Sequence, residues 1–435
     1  MFNKASLLFA VTLAVAATAS PAVSPPLPLA RGNTIPLRMR ASLTTSTGVF
    51  DKDKGTLANI NTINKHRQNL INLERNKGNG TFNEGAAIRP LATLPRNIQG
   101  RMEARQAEAL TDEEDDVEWL GTISIGTPGQ NFLIDFDTIV QPDPRTSGFP
   151  LRHAKSSTCS KKHKYTASSS STSVKESGTF EIEYADGSTV SGPVYEDTVS
   201  VAGVVTTKQV FSPVTTLSSS FAQDPTDGIL GLAFPAIAQM QSGLPFFNNA
   251  DQEGAVSVNQ FGFLLASTGS ELYVGGTDAS KYTGELEFHD VDTTSGFWQV
   301  KGATGKVGNS IVVTGFETII DSGTTLMYGP PAAVKKIYAA VKGAKVFDAE
   351  DGYYSFPCAT PPEIAFNWGG KDWVISAANI NLGQTAEGSS SCVGALAGVD
   401  IGLGSNVWLL GDSFMKNVYT AFDFGEEAVG FAAIA

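Results

Sequence analysis

The chain has 435 residues, of which 41% are hydrophobic and 17% are charged, and its formal net charge at pH 7 is −13. This length suits two or three folding units, and the low charge content excludes a charge-rich disordered chain or a coiled coil. Three Cys without zinc spacing exclude a disulfide-rich scaffold, and four scattered His form no ligand cluster. We therefore expect no metal or other cofactor.

The charge is divided unevenly along the chain. Residues 20–106 carry 13 Lys and Arg against 5 Asp and Glu, a net charge of +8, whereas residues 107–435 carry 17 against 39, a net charge of −22. A basic segment therefore precedes an acidic body. The acidic body argues against nucleic acid and anionic membranes as partners, because both would be repelled.

The N-terminus is typical of a secretory signal peptide. Lys4 precedes a short apolar run over residues 7–17, and small residues follow up to Ala19. We predict a signal peptide over residues 1–19, with a buried N-terminal helix as the alternative. Export would permit disulfides.

Two features stand out within the basic segment, residues 20–106. Ile60 to Leu73 spaces its apolar residues at helical intervals, which predicts a helix. The one glycosylation sequon of the chain, Asn79-Gly80-Thr81, follows this stretch.

From Trp119 onward, short β-rich runs alternate with Gly, Ser and Asp turns, which predicts an all-β body. The clearest hairpin joins Thr179–Tyr184 to Thr189–Val201 through Asp186-Gly187, a strong turn signal. The best helix of the body is predicted over Pro331–Lys342, with Pro at its start and Gly343 after its end.

The body contains an internal repeat. Phe132 to Thr138 and Glu317 to Thr324 are both apolar strands that end in Asp and a hydroxyl residue. Further along the chain, each strand is matched by two apolar residues and a Gly. Gly231 lies 94 residues after Asp137, and Gly411 lies 90 residues after Asp321. Two similar lobes, each with one Asp at a strand end, explain this pattern.

The paired carboxylates of Asp137 and Asp321 indicate acid–base chemistry. Two adjacent carboxylates share one proton, because two neighbouring negative charges do not form cheaply, and the pair then supplies both a general base and a general acid. Such a pair can activate water against a peptide carbonyl without a metal. The hydroxyls of Thr138 and Ser322 can brace the two turns and bond across the lobes.

Several motifs in fixed order carry a family resemblance. They are Ile125-Gly126-Thr127-Pro128, Asp137-Thr138, Ile182-x-Tyr184-x-Asp186-Gly187-Ser188, Asp227-Gly228-Ile229-Leu230-Gly231-Leu232, Asp321-Ser322-Gly323-Thr324-Thr325 and Leu410-Gly411-Asp412. From Trp119 to Ala435 the chain resembles the pepsin family of aspartic endopeptidases, and most closely its secreted fungal members.

The resemblance implies a bilobal all-β fold with a cleft between an N-terminal lobe over residues 107–289 and a C-terminal lobe over residues 290–435. It implies a secreted monomer that hydrolyses polypeptides with a water held between the two Asp, whose turns are supported by Thr138, Ser322, Gly323 and Thr324. It also implies that residues 20–106 are a removable prosegment that inhibits the enzyme intramolecularly. A solvated linker is the alternative for this segment.

The resemblance extends to the family's substrate-covering flap and to one of its disulfides. Tyr184, Asp186 and Gly187 fall in the flap that covers the substrate, although Asp186 serves equally well as the first residue of a turn. Cys358 and Cys392 occupy the place of a family disulfide, and two buried thiols are the alternative. This pairing would leave Cys159 with no second Cys for a disulfide.

The first catalytic turn departs from the family, which has Asp-Thr-Gly-Ser-Ser and then Leu-Trp-Val-Pro-Ser. Here Ile139 replaces the Gly and Val140 replaces a hydroxyl residue, so we expect a strained turn and a poorly held Asp137. A catalytically impaired relative that binds peptides or inhibitors is therefore the alternative function. A β-sandwich binding module is disfavoured by the paired Asp turns, and a serine hydrolase by the lack of a nucleophile elbow.

The departure predicts an error in the gene model over residues 139–152. Codons for Thr146 to Leu151 read in a shifted frame can spell Leu-Trp-Val-Pro-Ser, and those of Ile139 to Gln141 read one base later can spell Ser-Ser. A mispredicted exon junction explains both. Sequencing the transcript should reveal Gly-Ser-Ser and a Trp between Asp137 and Lys155, whereas a transcript that encodes Ile139-Val140 would favour the impaired relative.

Overall fold

A computed structural model describes residues 34–39, 43–101, 119–139, 159, 162–183, 189–217, 226–238 and 243–435. The predicted signal peptide and the flap residues Tyr184, Asp186 and Gly187 lie outside the described residues.

The described chain consists mostly of β-strands. The first eight are β1 Thr34–Pro36, β2 Arg38–Met39, β3 Trp119–Ile125, β4 Gln130–Asp137, β5 Val174–Glu183, β6 Thr189–Val201, β7 Val204–Phe211 and β8 Gly228–Gly231. The next eight are β9 Gln260–Leu264, β10 Glu271–Val274, β11 Tyr282–Asp290, β12 Gln299–Val307, β13 Ser310–Ile320, β14 Met327–Gly329, β15 Lys345–Asp348 and β16 Tyr353–Pro357. The last eight are β17 Ile364–Asn367, β18 Trp373–Val374, β19 Asn381–Gln384, β20 Ser391–Gly394, β21 Leu396–Gly398, β22 Val407–Leu410, β23 Tyr419–Asp423 and β24 Ala428–Ile434.

The strands form four sheets, which confirms the predicted all-β bilobal fold. One seven-stranded sheet has the path β5-β6-β3-β4-β8, with β2 on β3 and β7 on β6. The second has the order β18-β17-β12-β13-β22-β14-β21. A six-stranded sheet, β1-β10-β9-β23-β24-β11, takes strands from the basic segment and from both halves of the body, and β15-β16-β20-β19 form a smaller sheet.

The hairpin prediction is confirmed, since β5 and β6 pair antiparallel with Glu183 opposite Thr189. This pairing follows from the alternation of inward and outward side chains on either side of a turn.

The helices of the described residues are few, and the longest of them lies in the basic segment. They are α1 Lys52–Lys77, α2 Phe246–Gln252, α3 Pro331–Ala339, α4 Ala377–Ile380 and α5 Asp412–Met415. The predicted body helix therefore begins at Pro331 as expected but ends three residues early.

Helix α1 is longer than the sequence pattern indicated, because both of its ends are capped. The Asp51 side chain accepts hydrogen bonds from the amides of Asp53 and Lys54 at the N-terminus. Arg75 and Lys77 lie in the last turn, where a positive charge complements the helix dipole. Gly78 follows in the left-handed half of φ space, with φ 86°.

The predicted disulfide between Cys358 and Cys392 is confirmed, and it joins β20 to the turn that follows β16. Cys159 is buried in a small cluster with Val190, Val214 and Leu217. Among the described helices, none has both the length and the apolar character needed to cross a membrane.

Candidate active site

Asp137 is the last residue of β4, and Asp321 directly follows β13. Each of these strands has a parallel neighbour that ends in the apolar segment of the repeat. β4 pairs in parallel with β8, which places Asp137 opposite Gly231. β13 pairs in parallel with β22, and the Asp321 amide donates to the Leu410 carbonyl at 3.0 Å. The repeated apolar-apolar-Gly segments of the sequence are therefore the strands that flank the two Asp.

Hydroxyl groups tie the two Asp turns together across the lobes. Thr138 Oγ1 donates to the Ile320 carbonyl at 3.1 Å and accepts from the Ser322 amide at 2.9 Å. Ser322 Oγ donates to the Phe136 carbonyl at 2.8 Å and accepts from the Thr138 amide at 3.1 Å. Both hydroxyl residues are buried, so these four bonds fix the separation of the two carboxylates in a water-poor environment.

Each carboxylate is also held by the turn that follows it. Asp137 Oδ1 accepts from the Ile139 amide at 2.8 Å, and Asp321 Oδ1 accepts from the Gly323 amide at 2.9 Å. Asp321 Oδ2 additionally accepts from the Thr324 hydroxyl. The corresponding position of the first turn, Val140, lies outside the described residues.

Gly323 is required by close approach rather than by φ. A Cβ on Gly323 would lie 2.0 Å from Asp137 Oδ2, so any side chain there would displace the first carboxylate.

The corresponding position of the first turn holds Ile139, which is buried. The described non-glycine residues with positive φ are Ala202 and Glu427, so Ile139 is not forced into the left-handed region. The strained turn expected at this position does not arise from φ at Ile139. The expectation that Asp137 would be poorly held was wrong, because the Ile139 amide donates to this carboxylate.

Lys65 of α1 lies between the two carboxylates. Its Nζ donates to Asp321 Oδ2 at 2.7 Å, to Asp137 Oδ2 at 3.2 Å and to the Gly323 carbonyl at 2.9 Å. All three donor positions of the ammonium are thereby used. The Lys65 side chain is only 8% exposed.

The two Asp keep Lys65 charged. Burial lowers the pKa of Lys65, but the charges of Asp137 and Asp321 and the hydrogen bonds to them outweigh burial, so this pKa is raised. One buried cation thus compensates two buried carboxylates, which could not easily both be ionised without it.

The rest of α1 follows the surface between the lobes through polar contacts at both ends. Near its N-terminus, Thr56 Oγ1 donates to Asp351 Oδ2 at 2.6 Å, and Tyr353 Oη donates to the Gly55 carbonyl at 2.9 Å. Near its C-terminus, Asn72 Nδ2 donates to the Ile237 carbonyl at 3.1 Å. Arg75 and Asn76 donate to the Ala238 carbonyl at 3.0 Å and 2.8 Å.

The buried face of α1 is largely polar, which differs from the sequence interpretation. Leu70 and Leu73 are buried, but most of the buried face consists of the residues Asp53, Gly55, Thr56, Asn59, Thr62, Lys65, His66, Asn69 and Asn72. Ile60 and Ile63 are only half-buried. The helix therefore combines many polar contacts with an apolar contact, in which Leu70 and Leu73 join the main hydrophobic core.

Lys65 and its neighbour His66 were not identified as functional residues from the sequence. A signal was present in the polar residues Asn59, Thr62, His66 and Asn69, which recur at helical spacing. The sequence interpretation considered only the apolar positions of this helix and therefore did not use the polar pattern.

The comparison with known families agrees with this geometry. The family model described as eukaryotic aspartyl protease matches residues 118–434. The chain belongs to this family. As a eukaryotic aspartyl protease, it is an aspartic-type endopeptidase.

Relatives of this aspartyl protease come from fungi and animals. An aspartic protease of Phaffia rhodozyma is 41% identical over 76% of this chain and 79% of the relative. Major aspartyl peptidase 1 of Cryptococcus neoformans is 31% identical over 80% of this chain and 76% of the relative. Cathepsin D of Homo sapiens is 33% identical over 85% of this chain and 93% of the relative.

The interlobe hydroxyl bonds lead to a stability prediction for this aspartyl protease. Thr138→Val keeps the side-chain shape but leaves the Ile320 carbonyl and the Ser322 amide without their partner. We expect the free energy of unfolding to fall by about 2–4 kcal/mol, because each buried polar group left unpaired costs roughly 1–3 kcal/mol. Urea titration followed by tryptophan fluorescence measures the change.

Thr47→Val is the control, because its hydroxyl is exposed and, among the described residues, bonds to the hydroxyl of Thr45 alone. It should change the free energy of unfolding by less than about 0.5 kcal/mol. Equal effects of the two substitutions would contradict the bracing role of Thr138.

Proposed function

We propose that this chain is the zymogen of a secreted, acid-active aspartic endopeptidase, in which Asp137 and Asp321 activate the attacking water and residues 20–106 act as the inhibitory prosegment. The observation that carries the proposal is Lys65 Nζ, which occupies the space between both carboxylates. The signal-peptide pattern of residues 1–19 and the fungal relatives support export to the cell exterior.

The reaction follows from the chemistry of the pair once Lys65 has left. Without the cation, two adjacent carboxylates take up one proton between them. The ionised carboxylate removes a proton from a water, whose oxygen bonds to the carbonyl carbon of the peptide. The protonated carboxyl then supports the developing oxyanion. As the C–N bond breaks, a proton passes from the pair to the leaving amine, and the shared-proton state is restored.

The hydrogen bonds to the two carboxyl groups support their proposed use as general base and general acid. Asp321 Oδ2 accepts from the Thr324 hydroxyl, and each Oδ1 accepts from a turn amide. Both carboxyl groups are therefore oriented before substrate binds, and little reorganisation is needed during the reaction.

Autoinhibition is supported by what α1 covers. Lys65 blocks the position proposed for the water, and α1 contacts Asp351 and Tyr353 on one side and Ile237 and Ala238 on the other. A polypeptide could not occupy the same surface while the helix is docked.

Acid would release the helix through the carboxylates and not through Lys65. A raised pKa means that the contribution of Lys65 to docking is complete below its ordinary pKa of about 10.4, so its own titration does not weaken docking in acid. Protonation of the body's carboxylates near pH 4–5 removes the attraction between the +8 segment and the −22 body. Cleavage near residues 105–110 would then follow.

A catalytically impaired relative is the second candidate function. It is favoured by Ile139, whose side chain stands where the second turn has Gly323. The Ile139 amide nevertheless keeps its bond to Asp137, so one carboxylate contact expected of an active turn is retained.

Substitution of one carboxylate decides between these candidates. Asp321→Asn removes one acid–base group and little volume, and we expect the cleavage rate to fall by about 10²–10⁴-fold or more while the fold is retained. Digestion of haemoglobin at pH 3–5 measures the rate, and circular dichroism checks the fold. The exposed Asp372, substituted by Asn, is the control and should leave the rate unchanged. Near-normal cleavage by Asp321→Asn would refute the paired-Asp assignment.

Removal of the blocking cation tests autoinhibition. Lys65→Met leaves the two carboxylates without their counter-charge, and breaking a buried ion pair costs roughly 3–5 kcal/mol. We expect the unprocessed chain to release its prosegment at a pH where the wild type does not, with cleavage of a peptide substrate at pH 6 increased on the order of 10²-fold.

Lys77→Met is the matched control, because Lys77 is an exposed lysine at the end of the same helix. Processing is followed by sequencing the new N-terminus over time. If wild type and Lys65→Met were equally active at pH 6 without processing, the zymogen proposal would be wrong.

A further inference from the structure

His66 is buried beside the proposed catalytic pair, yet its ring has no polar partner. Its side chain is 0% exposed, and neither Nδ1 nor Nε2 has a hydrogen-bond partner among the described residues. The ring packs edge-on against Phe297, with ring centroids 6.0 Å apart. A buried imidazole without a partner is costly, and its presence beside the two carboxylates needs a physical explanation.

The charged groups near His66 act on its protonated form in opposite directions. Its Nε2 lies 3.9 Å from Asp321 Oδ2, beyond hydrogen-bond distance, and that oxygen already accepts from Lys65 and Thr324. Asp137 attracts a proton on His66, whereas Lys65, the adjacent residue on α1, repels it.

The buried Asp412, which interacts electrostatically with Asp321 and Lys65, does not change this balance in acid. Burial raises the pKa of Asp412 to about 8, so this group is largely uncharged below neutral pH. The described groups around His66 therefore comprise one cation, two carboxylates whose near oxygens are occupied, and aromatic surface.

Resting on the proposed zymogen, we propose that His66 is a pH sensor of the prosegment: docking of α1 buries a neutral imidazole, and acid weakens docking because that imidazole must then remain unprotonated or be buried as a cation. This sensor is separate from the carboxylates. It acts first as the pH falls, because His titrates near pH 6.5 and carboxyl groups near pH 4.

The direction of the effect follows from the two states of the ring. Burial, with a further contribution from the charge of Lys65, holds the pKa of His66 well below its ordinary value in the docked helix. In the released prosegment the ring is solvated and has an ordinary pKa of about 6.5. His66 therefore contributes its full share to docking above pH 6.5, and this share falls as the pH decreases toward the docked pKa.

The size of the effect follows from the same linkage. Between the two pKa values, the docking equilibrium weakens by about tenfold for each pH unit, which gives up to about 100-fold at pH 4.5. The carboxylates then complete the release at lower pH.

The test compares helix docking in the full-length chain as wild type, His66→Phe, His66→Gln and Glu74→Gln. Phe and Gln cannot take up a proton, and Glu74 is an exposed titratable residue of the same helix, which makes it the matched control. Docking is read as the hydrogen-exchange protection of residues 52–77. It is measured in brief labelling pulses at pH 7, 6 and 5, before cleavage, and corrected for the pH dependence of an unstructured chain.

We expect protection in the wild type and in Glu74→Gln to fall by up to about tenfold per unit below pH 6.5, and both His66 variants to lose clearly less. Parallel pH curves in all four chains would overturn the proposal. It would also be overturned if protection in the His66 variants were lower than in the wild type by the same factor at every pH. If neither variant docks at pH 7, the ring-proton titration of His66 in the wild type decides, and a pKa of 6.5 or higher in the docked chain overturns it.

The same data separate this inference from the zymogen proposal. Helix protection is measured without reference to catalysis. A wild type whose helix is unprotected at pH 7 would refute the zymogen, whereas a protected wild type with variants that follow the same pH curve would refute only the sensor.

Discussion

The placement of two carboxylates side by side in a buried site is the constraint on which the rest of this structure depends. Asp137 and Asp321 are 3% and 0% exposed, and like charges at such positions need either a shared proton or a counter-charge. Here the counter-charge is Lys65, supplied by the chain itself. A shared proton makes the pair suitable for acid–base chemistry. The same repulsion between the carboxylates allows a cation to bind between them and block the pair.

The two lobes meet this constraint with matching parts that differ in one place. Parallel strand pairs support both Asp, and Thr138 and Ser322 exchange bonds across the lobes in nearly the same way. The second turn brings Gly323 against Asp137, whereas the first turn carries the buried Ile139. Since each turn contributes a backbone amide to its carboxylate, the first turn keeps this contact in spite of its side chain.

Helix α1 shows how a helix can bind through a largely polar face, with only Leu70 and Leu73 fully buried among its large apolar residues. Carbonyl and carboxylate groups of the body accept hydrogen bonds from Thr56, Asn72 and Asn76. These bonds exchange readily with water, and each contributes little net free energy, so the contact is specific but reversible. Reversibility suits the proposed release of this segment, in which acid acts on the carboxylates and on His66 while Lys65 stays charged.

The sequence alone determined the all-β class, the two-lobe repeat and the hairpin of β5 and β6, and the family resemblance indicated the disulfide of Cys358 and Cys392. These features depend on local alternation, turn residues and motif order, all of which are read along the chain. The insertion of Lys65 could not be read in this way, because Lys65 is 256 residues from Asp321 and no local pattern links them. The polar side of α1 is buried because the opposing surface offers polar partners from distant parts of the chain, such as Asp351 and Ile237. Tertiary structure therefore decided which face of the helix is buried, which cation meets the carboxylates and that His66 has no hydrogen-bond partner among the described residues.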